Sequence, residues 1–166
     1  MTKSHDKMPK DPIVDDKNLY LCFRLIKENK FSEAEKKIGE GIKVAAGRQD
    51  KQNEALYLSA MGVLHKVQKD YKKSYRFYQQ AEKLLPEDPA LKIIMATLLI
   101  EEFAQYDSAL RKLDNVVDEK GQDPAIWHHA KVLSALANFL MGKKDQAKKI
   151  LAEINATNFS MLRSAT

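Results

Sequence analysis

Only one cysteine, Cys22, occurs in the 166 residues, so neither an internal disulfide framework nor a multi-thiolate metal site can be built. Glycine and proline are scarce, at six and five residues. Such a composition disfavours a β-rich fold with many tight turns and favours long helices. No run of about 18 apolar residues is present to span a membrane. The N-terminal "MTKSHDKMPKDP" lacks the apolar stretch of a signal peptide. The expected setting is therefore reduced and cytoplasmic. Neither sign of charge dominates: 28 Lys/Arg against 23 Asp/Glu leave +5. Nucleic-acid proteins focus basic charge on one face, whereas acids interrupt the bases along most of this chain. A solvated mixed surface is expected, and a nucleic-acid partner is disfavoured.

What is present is a capacity to fold. Hydrophobic residues make up 44% of the chain and charged ones 31%, enough for a buried core with a soluble exterior. The length suits one compact domain or one short repeat array. Residues 1–16 are polar and twice interrupted by proline (Pro9, Pro12), which predicts a disordered lead-in. From there apolar residues recur at helical spacing, as in Leu19, Cys22, Phe23 and Ile26. Breaks at 47–50, 86–89 and 121–124 punctuate the pattern. The spacing predicts eight helices, near 17–29, 31–46, 50–68, 71–85, 89–104, 106–119, 124–141 and 143–155. Their short connections require antiparallel hairpins.

The hairpins repeat. Aligned on the turn inside each pair, "ENKFSEAEKKI", "QKDYKKSYRFY", "FAQYDSALRKL" and "MGKKDQAKKIL" all carry a small residue in the seventh column: Ala34, Ser74, Ala109 and Ala147. Four residues later stands a large one: Ile38, Tyr78, Leu113 and Leu151. In the second unit, Leu58, Met61, Gly62 and His65 precede the turn, and Tyr71, Ser74, Tyr78, Ala81 and Pro86 follow it. Each slot has a physical use. Gly62 allows close helix approach, Ser74 and Ala81 keep the second helix thin at the crossing, and Pro86 ends the unit.

This pattern resembles the tetratricopeptide repeat, over about residues 15–155. The second unit matches well. The third has Thr97 in the glycine slot and no terminal proline. The fourth keeps Gly142, Ala147 and Ala135, but Lys131 and Asn138 depart from the apolar pattern; the first has Cys22 in the glycine slot. The resemblance implies an all-α, right-handed superhelix of about four helix hairpins. The repeat domain would run over 17–156, with 157–166 a tail or partial capping helix.

Catalytic chemistry finds little support in the sequence. His5 lies in the lead-in, and His65 occupies a slot usually aromatic, which predicts a packed ring. His128 and His129 are adjacent on a helix and diverge by about 100°. Cys22 reads as a small core residue. The fragment "GEGIKVAAG" follows no strand and lacks Gly-Lys-Ser/Thr, so it is no phosphate loop and is expected to loosen a helix end. The expectation is a non-enzyme without cofactor or metal.

The resemblance further implies that the first helix of each hairpin lines a concave groove. Its lining would be Asp16, Leu19, Phe23 and Ile26; Leu56, Ser59, Val63 and Lys66; Leu91, Ile94, Leu98 and Glu101; and His129, Val132, Leu136 and Phe139. The basic clamp that some family members use to grip a chaperone's C-terminal carboxylate is not reproduced, since Leu19 and Phe23 stand in its columns. A mainly apolar groove suits an amphipathic helix or hydrophobic peptide, so an adaptor, assembly factor or small chaperone is expected. The alternatives are a homo-oligomeric scaffold, such as a homodimer, whose groove is self-filled, and a helical-repeat protein binding nucleic acid. The rings of "KDYKKSYRFYQQAEKLLPEDP" bear on the last. Tyr71 and Tyr78 are predicted to face the hairpin interior, leaving Lys72, Lys73, Arg76 and Gln79 outside, which disfavours a base-stacking platform.

Overall fold

The computed structural model describes residues 16–117 and 123–164. The expected lead-in before α1, and the end of the helix predicted near 106–119, lie outside the described residues. Among the described residues the chain is all-α, with eight helices and no strand. They are α1 (Asp16–Lys27), α2 (Phe31–Gly47), α3 (Lys51–Val67), α4 (Tyr71–Leu84), α5 (Pro89–Glu101), α6 (Tyr106–Val117), α7 (Pro124–Leu140) and α8 (Lys144–Ser164). The last helix continues to Ser164, so the expected tail is helical over most of its length.

Two compact units meet in sequence between Leu85 and Pro86, and each contains four helices. Their internal packing follows one scheme. In the first unit α1 packs on α2, α2 on α3, α3 on α4, and α1 also reaches α3. In the second, α5 packs on α6, α6 on α7, α7 on α8, and α5 also reaches α7. Each unit is thus two stacked hairpins.

The turns explain why the helices stop where they do. Asn29, Lys69, Ala104 and Gly142 all have positive φ, between 51° and 78°. Each stands five residues before the small residue of its repeat: Ala34, Ser74, Ala109 and Ala147. In three of these turns the left-handed residue and its successor donate back into the helix. Lys69 N–H reaches the Lys66 carbonyl and Asp70 N–H the His65 carbonyl, and the same pairing recurs at Asn29–Lys30 and Gly142–Lys143. This reversal satisfies carbonyls that a helix end leaves open. Gln49 makes the same turn between α2 and α3. The next helix is then capped by aspartate. The carboxylates of Asp50, Asp70, Asp88 and Asp123 accept backbone N–H bonds from the first turns of α3, α4, α5 and α7.

Packing inside the first unit depends on two glycines meeting two tyrosines. A Cβ added at Gly62 would come within 2.8 Å of the Tyr78 ring, and one at Gly41 would overlap the ring of Tyr57. Gly41 therefore lies mid-helix as a seat for an aromatic, and does not loosen a helix end as its fragment suggested. Tyr78, Ser74 and Ala81 are buried while Lys72, Lys73, Arg76 and Gln79 are exposed, and Phe77 stacks on His65 at 5.3 Å with near-parallel planes. Burial pushes the Tyr78 phenol up to about 12.

In the repeat columns, the small residues Ala34, Ser74, Ala109 and Ala147 are all buried, as are Ile38, Tyr78 and Leu113. Leu151 breaks the series and is 48% exposed. The buried row of α8 is Ala147–Ile150–Ile154, with Ile150 and Ile154 packed beside Ala135 and Trp127. Leu151 lies one helical step past that row.

Candidate protein-binding surface

α7 begins with Pro124, placed where a missing N–H costs nothing, behind the Asp123 cap. At about 100° per residue, Ala125, His128, His129, Val132, Leu136, Phe139 and Leu140 share one arc. All seven are exposed, with Val132 and Leu136 at 40% and Phe139 at 56%. The opposite arc carries Trp127, Lys131, Ser134 and Asn138, and here the two short polar residues are buried. One apolar arc thus meets solvent and a polar arc meets α6 and α8, while Ala130, Leu133, Ala135 and Ala137 give the helix a buried apolar side as well.

The inward polar groups have partners, as buried polar groups need. Ser134 Oγ donates to the Ala130 carbonyl and Asn138 Nδ2 to the Ser134 carbonyl, both at 2.9 Å. Lys131 Nζ pairs with Glu153 at 3.0 Å and sits 5.6 Å from the centre of the Trp127 ring. These side chains line a cleft of about 570 Å³, closed by Leu110 and Asp114 of α6 and by Gln146 and Ile150 of α8. The departures of Lys131 and Asn138 from the repeat pattern thus belong to a satisfied polar seam.

The structure distributes the sequence-predicted groove residues unevenly. In the second unit, His129, Val132, Leu136 and Phe139 form the exposed α7 stripe. On α5, Glu101 is exposed and Ile94 half-buried, whereas Leu91 and Leu98 are buried at 4% and 0%. In the first unit, Leu56, Ser59, Val63 and Lys66 lie half-buried along α3, with Ser59 Oγ turned back onto the Ala55 carbonyl. On α1, Leu19 is half-buried, Phe23 is 40% exposed and Ile26 is buried at 4% in the core with Cys22 and Leu25. The Asp16 side chain lies outside the described residues. Ile26, Leu91 and Leu98 therefore cannot meet a partner without unpacking, since their helices turn those positions into the interior.

Tyr20, 70% exposed beside Phe23, went unremarked in the sequence. So did Lys92, buried except for an ammonium that reaches the exposed Glu87 at 3.3 Å. The first unit also holds a cleft of about 280 Å³ between α1, α2 and α3, floored by Cys22 and Tyr57 and rimmed by Lys37 and Arg48.

Among the described residues no group of three His, Cys, Asp or Glu could hold a metal ion. His65 is buried, and its Nδ1 has no hydrogen-bond partner among the described residues. Cys22 is buried at 1% exposure. Asp50 is held below the usual carboxylate range chiefly by the Asn53 side-chain amide, and Asp70 by the backbone N–H of Lys73; both are capping effects. No helix among the described residues is long and apolar enough to cross a membrane. No protein-family model matches the chain, and no curated protein resembles it significantly in sequence.

Proposed function

We propose that this protein is a non-catalytic interaction module, an adaptor, assembly factor or small chaperone, that receives an apolar segment of a partner protein. The observation that carries the proposal is the exposed apolar stripe of α7. Its outward Val132, Leu136 and Phe139 expose apolar surface that an isolated helix hairpin would gain by burying, at about 25 cal/mol for each Å² covered.

The architecture we favour is a right-handed superhelix of four tetratricopeptide-like hairpins. Its support lies in the shared turn-to-small-residue spacing, the Gly62–Tyr78 contact and the common packing scheme of the two units. In such an array the first helices of the hairpins supply the binding surface, and α7 is one of them. The test is photo-crosslinking in the source cell, with a benzophenone amino acid at Leu136, at Phe139 or, as control, at the exposed Asn115 of α6. Specific adducts at the two α7 positions and none at Asn115 are expected. Equal labelling at all three, or none at Leu136 and Phe139, would refute the proposal.

A further inference from the structure

We infer that the occupant of the α7 face is an amphipathic helix with carboxylates along one flank; the inference rests on the interaction function just proposed. The exposed surface continues from α7 onto α8. α8 packs through Ala147, Ile150 and Ile154, and its Gln146 and Glu153 flank borders the cleft shared with α6. Its opposite flank, away from α6, carries Lys144, Lys148 and Leu151 at i, i+4 and i+7, all exposed. The α7 arc also lies away from α6, because Lys131, Ser134 and Asn138 occupy the cleft side. The uncovered side of the α7–α8 hairpin therefore joins Val132, Leu136, Phe139 and Leu151 into an apolar strip, with two lysines on its α8 edge.

The charge pattern selects the occupant. α7 contains no aspartate or glutamate, and the only charged or titratable groups on its outer arc are His128 and His129. A second copy of the chain would set Lys144 and Lys148 against another lysine-edged strip that carries no carboxylate of its own, Asp145 standing about 100° round α8 from Lys144 and the exposed Glu101 on α5. Like charges across an interface count against a pairing, whereas opposite ones steer and register it. A helix partner also matches the spacing, since Val132, Leu136 and Phe139 form a ridge that an i, i+3, i+7 stripe can flank. Lys144 and Lys148 then read carboxylates one turn apart on that helix.

The experiment uses the full chain and two stapled model helices of about 18 residues, long enough to present two turns of contact on each side. Both carry a leucine stripe; one has glutamates on its flanks and the other lysines. Binding is followed by fluorescence anisotropy at low and moderate salt. The glutamate helix is expected to bind about tenfold or more tightly than the lysine helix, with the gap narrowing as salt rises. The double change Lys144→Glu with Lys148→Glu should reverse the preference, and Leu136→Glu should abolish binding of both while circular dichroism stays unchanged. Equal binding of the two helices, both lost in Leu136→Glu, would overturn the charge inference and leave the docking function standing. Binding unaffected by Leu136→Glu, or no binding of either helix, would overturn both. Saturable binding to phosphatidylserine vesicles in place of the helices, or dimerisation lost in Leu136→Glu by sedimentation, would also overturn it.

Discussion

α3 and α7 occupy corresponding places in the two units, 73 residues apart, the separation of Ser74 from Ala147. On α3 the inward positions are Leu58, Met61 and His65, and the outward ones include Ser59 and Lys66. On α7 the same inward positions are Lys131, Ser134 and Asn138, and the same outward ones are Val132 and Phe139. At these positions polarity has been exchanged, while the buried apolar pairs Ala60–Leu133 and Leu64–Ala137 are common to both helices. α3 is an ordinary buried-face helix that closes its hairpin by seating Tyr78 against Gly62. α7 closes its own with alanines, a polar seam and the Ile150–Ile154 row of α8, and it keeps an apolar arc for the outside. One packing scheme therefore supports either a self-sufficient hairpin or one that presents apolar surface. Which of the two results depends on a handful of side chains.

The largest difference should appear at the paired large-residue slots. Tyr78→Ala removes a fully buried ring and is expected to cost about 3–5 kcal/mol in urea unfolding. Leu151→Ala, its counterpart, should stay within about 0.5 kcal/mol because that side chain is half exposed. Similar losses at the two sites would erase the distinction.

Alkali should also act on the first unit through Tyr78. Its folded-state pKa is raised from 10.0 to about 12, so the contribution is complete below pH 10 and lost as pH rises towards 12. The loss approaches roughly 2–3 kcal/mol at the top of that window, and Tyr78→Phe should remove this component. An unchanged alkaline profile in Tyr78→Phe would show that the ring does not titrate from the buried state.

The glycine slots sharpen the contrast. Gly62→Ala pushes a methyl into the Tyr78 ring and should cost about 1–3 kcal/mol, read as a drop in thermal midpoint. Ala135→Gly, in the same slot of α7, should cost about 1–2 kcal/mol for a different reason, glycine's helix penalty plus the loss of a buried methyl packed with Ile150 and Ile154. A Gly62→Ala variant as stable as the parent would mean that the ring contact adds nothing.

The turns give the smallest effects, of opposite sign. Lys69→Gly relieves a left-handed residue and should gain about 0.5–1 kcal/mol, whereas Gly142→Ala introduces one and should lose about 1 kcal/mol. Destabilisation by both changes would indicate that Lys69 makes compensating contacts.

Much of this fold was legible because its punctuation is local. Asn29, Lys69 and Gly142 sit at helix ends where apolar periodicity fails, so most boundaries predicted from spacing fell within about three residues of those observed, whereas the last helix, predicted to end near 155, runs to Ser164. Aspartates at 50, 70, 88 and 123 mark four helix starts, a capping signal independent of the glycine and proline breaks. What spacing could not supply was depth. Buried Leu98 occupies the same column as exposed Phe23 and Leu136, buried Ile26 that of exposed Phe139, and buried Leu91 that of exposed His129, and only tertiary packing decides which are covered. Gly41 was misread because its meaning depends on Tyr57, sixteen residues away on another helix. Lys131 and Asn138 were visible as departures from the repeat, but that they line a cleft shared with α6 and α8 follows only from tertiary packing.

The outward setting of Phe139 on α7 is best tested by thiol reactivity. In a Cys22→Ala background, single cysteines replace Phe139 and its neighbour Asn138. The account predicts that the Phe139→Cys thiol reacts with a maleimide at close to the unfolded-chain rate and the Asn138→Cys thiol far more slowly. Fast labelling at 138 with protection at 139 would contradict it, since α7 would then hold that apolar stripe inward.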